Sequence, residues 1–224
     1  MNTEILGLIA MFVVTLLLAI PLGKYIAKVY GGERTLLDPV FNPVEKLFFR
    51  LSGVNPNEEW SWQKNLVALL TINVVWFLLG MFILMNMSWL PLNPDNNPSQ
   101  SAHLAFNTTI SFLVNCNLQH YSGESGLSYL GQLYLMFLQF TTAATGMAAA
   151  AILFRALRKG THQTYGNFFN DYLRTCTRIL MPICLVLGVM LLLSGSPMTM
   201  EVKQQMVTLQ GDTVQVSTGP VAAF

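Results

Sequence analysis

Four apolar blocks constrain the fold of this chain more than any other feature. They cover roughly residues 5–27, 66–89, 127–154 and 179–194. Because a helix needs about 20 apolar residues to cross a membrane, the first three blocks are long enough. The fourth is shorter, so we expect it to recruit Cys176 and Thr177 at one end and residues 195–198 at the other, with a kink at Pro182. Only 10% of the residues are charged, against about 25% in soluble domains. The blocks therefore predict an all-α membrane protein with four transmembrane helices.

The basic residues predict how the chain lies in the membrane. Eleven of the twelve Lys and Arg residues fall within residues 24–64 and 155–178. Cytoplasmic loops carry an excess of Lys and Arg, so both segments are expected in the cytoplasm, and the N-terminus, residues 90–126 and the tail after Ser194 outside. Glu4 precedes the first block and the nearest basic residues follow it, which predicts an uncleaved span rather than a signal peptide.

The first cytoplasmic segment contains apolar residues at helical spacing. They are Val44, Leu47, Phe48 and Leu51. We expect an amphipathic helix lying against the membrane face and ending at Gly53. Within it, Glu45 is expected to be a solvated or paired charge rather than a catalytic one.

The stretch between the second and third blocks has a different character. Residues 107–126 read NTTISFLVNCNLQHYSGESG, and residues 107–123 carry no formal charge when His120 is neutral. Such a segment is too short to cross the membrane and too polar to lie bare in lipid, which favours a re-entrant pore loop lining an aqueous cavity. We expect its helix at Ala102–Leu113, about 18 Å long, capped by Ser99 or Ser101.

The residues after that helix are the predicted ion-selecting segment, or filter. The helix C-terminus carries partial negative charge, which favours a cation. Residues 114–117 (Val-Asn-Cys-Asn) are expected to run outward in extended form, with carbonyl oxygens that replace water around the ion. Tyr121 to Glu124 then return the chain to the surface. Glu124 is expected either to attract cations to the mouth or to cap the third long helix, and His120 to be an exposed or hydrogen-bonded loop residue.

Other polar and small residues within the spans are expected to serve packing. Asn73 is assigned to helix contacts rather than to an ion, with its amide bonded across helices. Gly146 and Ala150 lie on one helix face and permit close helix approach. The three cysteines are Cys116, Cys176 and Cys184; their spacing forms no metal or redox pair.

Two other function classes fit the sequence less well. A haem-bearing oxidoreductase subunit needs histidines paired within the membrane, yet His103, His120 and His162 lie in loops. A proton-coupled carrier needs an ionisable group inside a span, and the four blocks contain no Asp or Glu in their apolar cores. The sequence also has no phosphate-binding loop and no DKTGT-like phosphorylation sequence, so any ATP hydrolysis is expected to belong to a partner.

Taken together, the run NTTISFLVNCNLQHYSGESGLSYLGQ, the preceding WLPLNP, the upstream VEKLFFRLSGV and the terminal STGPVA resemble a known family. They are similar to the N-terminal part of the potassium-binding and translocating A subunits of Kdp potassium-transporting ATPases. The resemblance implies a potassium-channel-like pore of four helix–pore-loop–helix repeats preceded by an extra helix. It also implies potassium as the bound ion and the bacterial inner membrane as the location. The implied partners are a P-type ATPase subunit that hydrolyses ATP, a third subunit and a small single-helix subunit, with no nucleic acid.

Position by position, the resemblance assigns Asn115, Asn117 and Gln119 to the first filter loop, flanked by a supporting turn. The filter set is Val114, Asn115, Cys116, Asn117 and Gln119, and the supporting set is Tyr121, Ser122, Gly123 and Glu124. Val114 and Cys116 stand where threonines are expected and Leu118 where tryptophan is expected. These departures leave main-chain carbonyls in place and remove side-chain oxygens.

The resemblance also divides the chain into segments. They are the extra transmembrane helix (1–27), a cytoplasmic segment (28–65), the first repeat (66–154, pore loop 101–126), a second cytoplasmic loop (155–178), the fourth transmembrane helix (179–195) and an external tail (196–224). Family members are more than twice as long, so a fragment with an incomplete repeat set is expected. In this interpretation the chain is a non-catalytic subunit.

Overall fold

A computed structural model describes residues 3–159 and 164–220, so His162 and the last four residues lie outside the described part. The helices are α1 (Thr3–Gly31), α2 (Asp38–Ser52), α3 (Trp62–Met85), α4 (Ala102–Leu113), α5 (Gly123–Gly126), α6 (Tyr129–Lys159), α7 (Phe168–Arg174) and α8 (Met181–Leu193), with a π-helical segment at Thr175–Leu180 between the last two. Two strands, β1 (Gln204–Val207) and β2 (Thr213–Val216), follow.

Four of these helical stretches are long and apolar enough to cross a membrane, which confirms the predicted all-α membrane fold. They are α1, α3, α6 and the continuous run Phe168–Leu193. The helix bounds differ from those of the predicted blocks: α6 reaches Lys159 and the fourth span begins at Phe168, whereas α3 ends at Met85, before residue 89. Hydropathy marks only the apolar part of a helix, whereas the extensions of α6 and the fourth span include Arg155 and Asp171, which pair with each other.

The fourth span gains its length on one side only. It begins at Phe168 and ends at Leu193, so the predicted extension through residues 195–198 is wrong. Instead of a simple kink, a π-helical segment precedes Pro182. Proline lacks an N–H, so the Arg178 carbonyl four residues earlier loses its usual helical donor. The Tyr25 hydroxyl of α1 donates to that carbonyl at 2.7 Å, which ties the first span to the irregular turn.

Helices α3, α4 and α6 pack around one apolar cluster. Its buried residues include Leu84, Phe112 and Leu135. The close approach occurs at Gly80, where a Cβ atom would lie 2.4 Å from the Tyr134 hydroxyl. The short helix α4 therefore packs between the spans α3 and α6.

The small residues of α6 pack on a different face from the predicted one. Gly146 is exposed, and a Cβ there would meet no atom within 4 Å. Ala144 and Ala148 are fully buried instead, in a second cluster with Phe168 and Tyr172. Small residues thus do allow close helix packing, but on a face that excludes Gly146.

Asn73 does not bond across helices as predicted. Its side-chain amide donates to the Leu69 carbonyl of the same helix at 2.9 Å. An intrahelical partner removes the cost of a bare amide without contributing to helix association.

The amphipathic helix α2 is confirmed, and it ends at Gly53 with φ 67°. Its polar face is turned toward the protein. Glu45 is buried and receives two hydrogen bonds of 2.7 Å from the Arg178 guanidinium, so this charge is paired rather than solvated. Asp38 accepts a further bond of 2.7 Å from Arg178, and the neighbouring Thr35 hydroxyl holds the pKa of that carboxyl below its usual value.

A second ion pair, which is partly buried, lies at the same end of the molecule. Arg155 of α6 bonds both carboxylate oxygens of Asp171 in α7, and its guanidinium also donates to the Tyr30 carbonyl. Asp171 lies inside the fourth helical run, where the sequence blocks placed no acidic residue. Its pairing makes it a structural charge.

The tail forms an antiparallel hairpin, a feature absent from the purely helical prediction. Gln204 pairs with Val216 and Val207 with Thr213. Lys203, which directly precedes β1, donates from its ammonium group to the Asn97 side chain at 2.9 Å. This bond attaches the hairpin to the loop after α3. The hairpin therefore lies at the same end of the molecule as the residues that follow the pore loop.

Candidate functional site

The short helix α4 spans Ala102–Leu113, the bounds expected from the sequence. Of the two predicted caps, Ser101 is the one used: its side chain accepts from the Leu104 N–H at 3.4 Å. Ser99 bonds Ser88 instead. The helix is half the length of α3, which it packs against, so the chain must turn back after Leu113.

The main-chain N–H groups that follow α4 all point back to its last turn. Val114 N–H donates to the Ile110 carbonyl and Asn115 N–H to the Phe112 carbonyl, at 3.0 and 3.1 Å. Cys116 and Asn117 N–H groups donate to the Ser111 carbonyl at 2.9 and 3.4 Å. Leu118 N–H donates to the Ser111 hydroxyl at 2.6 Å. Five consecutive donors are thus used on one side of the chain.

The carbonyl groups of the same residues lack such partners. Within the described residues, no hydrogen-bond donor is directed at the carbonyl oxygens of residues 114–118. The side chains of residues 114–120 are exposed in this chain. A row of unpaired carbonyls beside an open face can coordinate a partly dehydrated cation without a fixed charge.

The predicted extended conformation of residues 114–117 is wrong. Asn115 and Asn117 have φ of 57° and 58°, so left-handed residues alternate with ordinary ones. In a regular strand successive carbonyls point to opposite sides, whereas left-handed residues reorient the peptides and permit all the N–H groups to face α4. Asparagine tolerates this conformation better than other non-glycine residues, and its presence at every second position was the available signal.

The supporting turn, residues 121–124, is stabilised by hydrogen bonds between nearby side chains. The Ser122 hydroxyl donates to the Glu124 carboxylate at 2.6 Å, and this bond holds the pKa of Glu124 below its usual value. Gly123 begins the one-turn helix α5, and Gln119 donates to the Tyr121 hydroxyl at 3.5 Å. Since α6 begins only at Tyr129, Glu124 does not cap the third long helix, and its exposed carboxylate remains available at the surface.

His120 is exposed, as expected for a loop histidine. Val114 and Leu118 are also exposed, at 66% and 60%. Large apolar side chains so open to solvent indicate that this side of the loop is covered by other protein or by lipid in the membrane.

An apolar groove runs beside the loop between α6 and α8. Its volume is about 630 Å³, and its lining includes Asn115, Phe137 and Leu185. Apolar walls cannot replace the water around a cation, so the groove is not the ion site. Within the described residues no cluster of His, Cys, Asp or Glu suits a transition metal.

Sequence reasoning missed Ser111 as a functional residue. This side chain is buried in α4, only 7% exposed, and its carbonyl and hydroxyl receive three of the five inward N–H bonds. Its position in the NxxxSF run was visible in the sequence, but a serine near a helix end has many other possible roles.

Comparison with known proteins gives a consistent result. The family model described as potassium-transporting ATPase A subunit matches residues 9–224. Over its full length the chain is 61% identical to the potassium-transporting ATPase potassium-binding subunit of Flavobacterium johnsoniae. It is 56% identical to the protein of the same name from Phocaeicola vulgatus. Over 96% of its length it is 44% identical to that of Pseudomonas fluorescens. The chain spans only 39% of the length of the first two relatives and 38% of the third.

Proposed function

Because the chain belongs to the family of potassium-transporting ATPase A subunits, we propose that it binds potassium and passes it across the membrane through the loop after α4. In this proposal the ion is held by main-chain carbonyls of residues 114–118 and by Gln119 at the outer mouth. Tyr121, Ser122, Gly123 and Glu124 keep the loop in position. The haem and carrier alternatives receive no support from the family match.

The single observation that carries the proposal is the polarity of the loop. Its N–H groups are bonded to α4, and its carbonyls meet no donor among the described residues. An anion would need the opposite orientation, with N–H groups exposed. The C-terminal end of α4 adds partial negative charge at the same place, so the site suits a monovalent cation of modest hydration energy.

One loop surrounds a cation on one side only. The family resemblance implies three further loops of this kind, and we propose that together they complete the carbonyl cage. A cage of carbonyl dipoles selects potassium over sodium through ligand number and field strength. The substitutions at Val114 and Cys116 leave this main-chain mechanism intact.

The proposal extends to location and partners. The protein is a multi-pass membrane protein by its four apolar helices and its family. We propose the bacterial inner membrane, with an external N-terminus and cytoplasmic basic segments. ATP hydrolysis is assigned to a partner P-type ATPase subunit, with a third subunit and a small single-helix subunit completing the complex.

Gln119→Arg tests the potassium site. A fixed cation beside the ion column repels potassium, and we expect the half-saturating potassium concentration for uptake to rise by at least about tenfold. The measurement is the concentration dependence of uptake in cells that depend on the natural protein for potassium.

Gln204→Arg, on the exposed strand β1, is the matched control, because it adds the same charge at the same end of the molecule but outside the loop. It should leave the half-saturating concentration unchanged. Equal potassium affinity in the Gln119→Arg protein and the unaltered protein would contradict the filter assignment.

A further inference from the structure

We infer that Ser111 is the positioning residue of the ion-binding loop, a role that rests on the proposed potassium function. Its hydroxyl oxygen accepts from Leu118 N–H at 2.6 Å. Its carbonyl oxygen accepts from Cys116 N–H at 2.9 Å and from Asn117 N–H at 3.4 Å. One buried residue thus fixes three of the peptides whose carbonyls would face the ion.

Of these three hydrogen bonds, the one to the Ser111 hydroxyl can be removed by a mutation, because the other two involve the main-chain carbonyl. The Ser111 hydroxyl also donates to the Cys116 sulfur at 3.7 Å. Its hydrogen is therefore directed at Cys116, while its oxygen accepts from Leu118 N–H. Without the hydroxyl, Leu118 N–H loses its acceptor inside the protein and turns to solvent, since Leu118 is exposed. That rotation moves the Asn117 carbonyl, which belongs to the same peptide group.

Asn117 makes this rotation easy once the bond is lost. Its φ of 58° is left-handed, a conformation of higher energy for a residue with a side chain. The hydrogen bonds of the peptides on either side, from Asn117 N–H and Leu118 N–H to Ser111, stabilise it there. The Ser111 hydroxyl therefore maintains a strained but useful carbonyl orientation.

Thr142 is another hydroxyl near the end of α4, but it is less suited to the role. Its oxygen lies 3.1 Å from the Phe112 carbonyl and 2.9 Å from the Leu138 carbonyl of its own helix. A hydroxyl has one hydrogen, and the shorter contact is intrahelical. Neither of these bonds reaches a peptide of the loop itself.

Ser111→Ala is the direct test, in the natural protein and its complex. We expect the half-saturating potassium concentration for uptake to rise roughly tenfold, as the lost hydrogen bond implies, and sodium to compete where it did not before. The maximal rate and the amount of protein in the membrane should remain unchanged. Unaltered potassium affinity and sodium exclusion in Ser111→Ala would overturn the inference.

Thr108→Val is the matched control. Thr108 lies in the same helix and is fully buried, and its hydroxyl has no hydrogen-bond partner among the described residues. Removing that hydroxyl should change neither affinity nor selectivity. An equal loss of selectivity in Thr108→Val would mean that general packing of α4, and not the Ser111 bond, controls the loop.

Two further measurements separate the possible failures. Amide hydrogen exchange of the peptide covering residues 114–120 should be faster in Ser111→Ala, and equal rates would also overturn the inference. If the alanine variant does not accumulate, Ser111→Cys keeps a similar shape with a poorer acceptor and should show the same loss of affinity under reducing conditions, which prevent a disulfide with the nearby Cys116; full affinity there would contradict the role. If the proposed function itself were wrong, the unaltered protein would show no saturable potassium uptake.

Discussion

Arg178→Met is expected to lower the free energy of unfolding by about 3–5 kcal/mol, the cost of breaking a buried ion pair. Methionine retains the unbranched stem, so the change removes charge and hydrogen bonds with little loss of volume. Glu45 is then left buried without a cationic partner, and Asp38 loses its bond to the same guanidinium. Because these two carboxylates attach α2, the helix should also separate from the fourth span. Reversible unfolding of the purified protein in mixed micelles measures the loss.

Glu58→Ala provides the control for this prediction. Glu58 and Lys64 form an ion pair of 2.6 Å with both side chains 49% exposed. Such a surface pair contributes about 0–1 kcal/mol. If Arg178→Met cost no more than Glu58→Ala, the buried cluster would not be what anchors α2. Adding Glu45→Leu to Arg178→Met should recover part of the stability, because it removes the unpaired carboxylate.

Gly80→Ala is expected to destabilise the protein by about 1–3 kcal/mol through overpacking. A Cβ atom at this position would lie 2.4 Å from the Tyr134 hydroxyl and 2.7 Å from Thr109 Cγ2. Neither neighbour can move freely, since Tyr134 donates to the Trp76 carbonyl at 2.7 Å and Thr109 is fully buried. Helix α3 must therefore shift away from α4, which carries the loop. The free energy of unfolding should fall, and potassium affinity should fall with it.

Gly146→Ala is the matched substitution in another membrane-spanning helix. Its Cβ would meet no atom within 4 Å, and alanine is favoured over glycine in a helix interior by about 1 kcal/mol. This variant should be unchanged or slightly more stable. A loss of stability equal to that of Gly80→Ala would show that the contact at Gly80 is not the cause.

The features that depend on neighbouring residues could be predicted from the sequence. The length of the apolar blocks predicted four spans. The serine at 101 and the polar run after Leu113 set the bounds of α4, and Gly53 set the end of α2. Each of these signals lies within a few residues of the structure it determines.

Features that depend on distant residues were not predictable in this way. The bonds between Glu45 and Arg178 join residues 133 positions apart, and no local pattern chooses between a solvated and a buried glutamate. The face of α6 that packs depends on where Phe168 and Tyr172 lie, so Ala144 and Ala148 were missed in favour of Gly146. The hairpin had only a weak signal in alternating residues around Gly211, whose φ is 91°.

The conformation of the loop after α4 was predictable only in part. Asparagines at 115 and 117 indicated tolerance of positive φ, but tolerance does not determine orientation. The orientation comes from the acceptors at the end of α4, above all from both oxygens of Ser111. Those acceptors belong to α4, which packs between α3 and α6.

The most direct test of the central claim is to locate a thallous ion, an electron-rich substitute for potassium, in the structure of the natural protein within its membrane complex. We expect an anomalous-scattering peak in contact with the carbonyl oxygens of residues 114–118, and its loss when excess potassium is added. A peak elsewhere, for example in the groove between α6 and α8, with those carbonyls facing no ion, would contradict the claim.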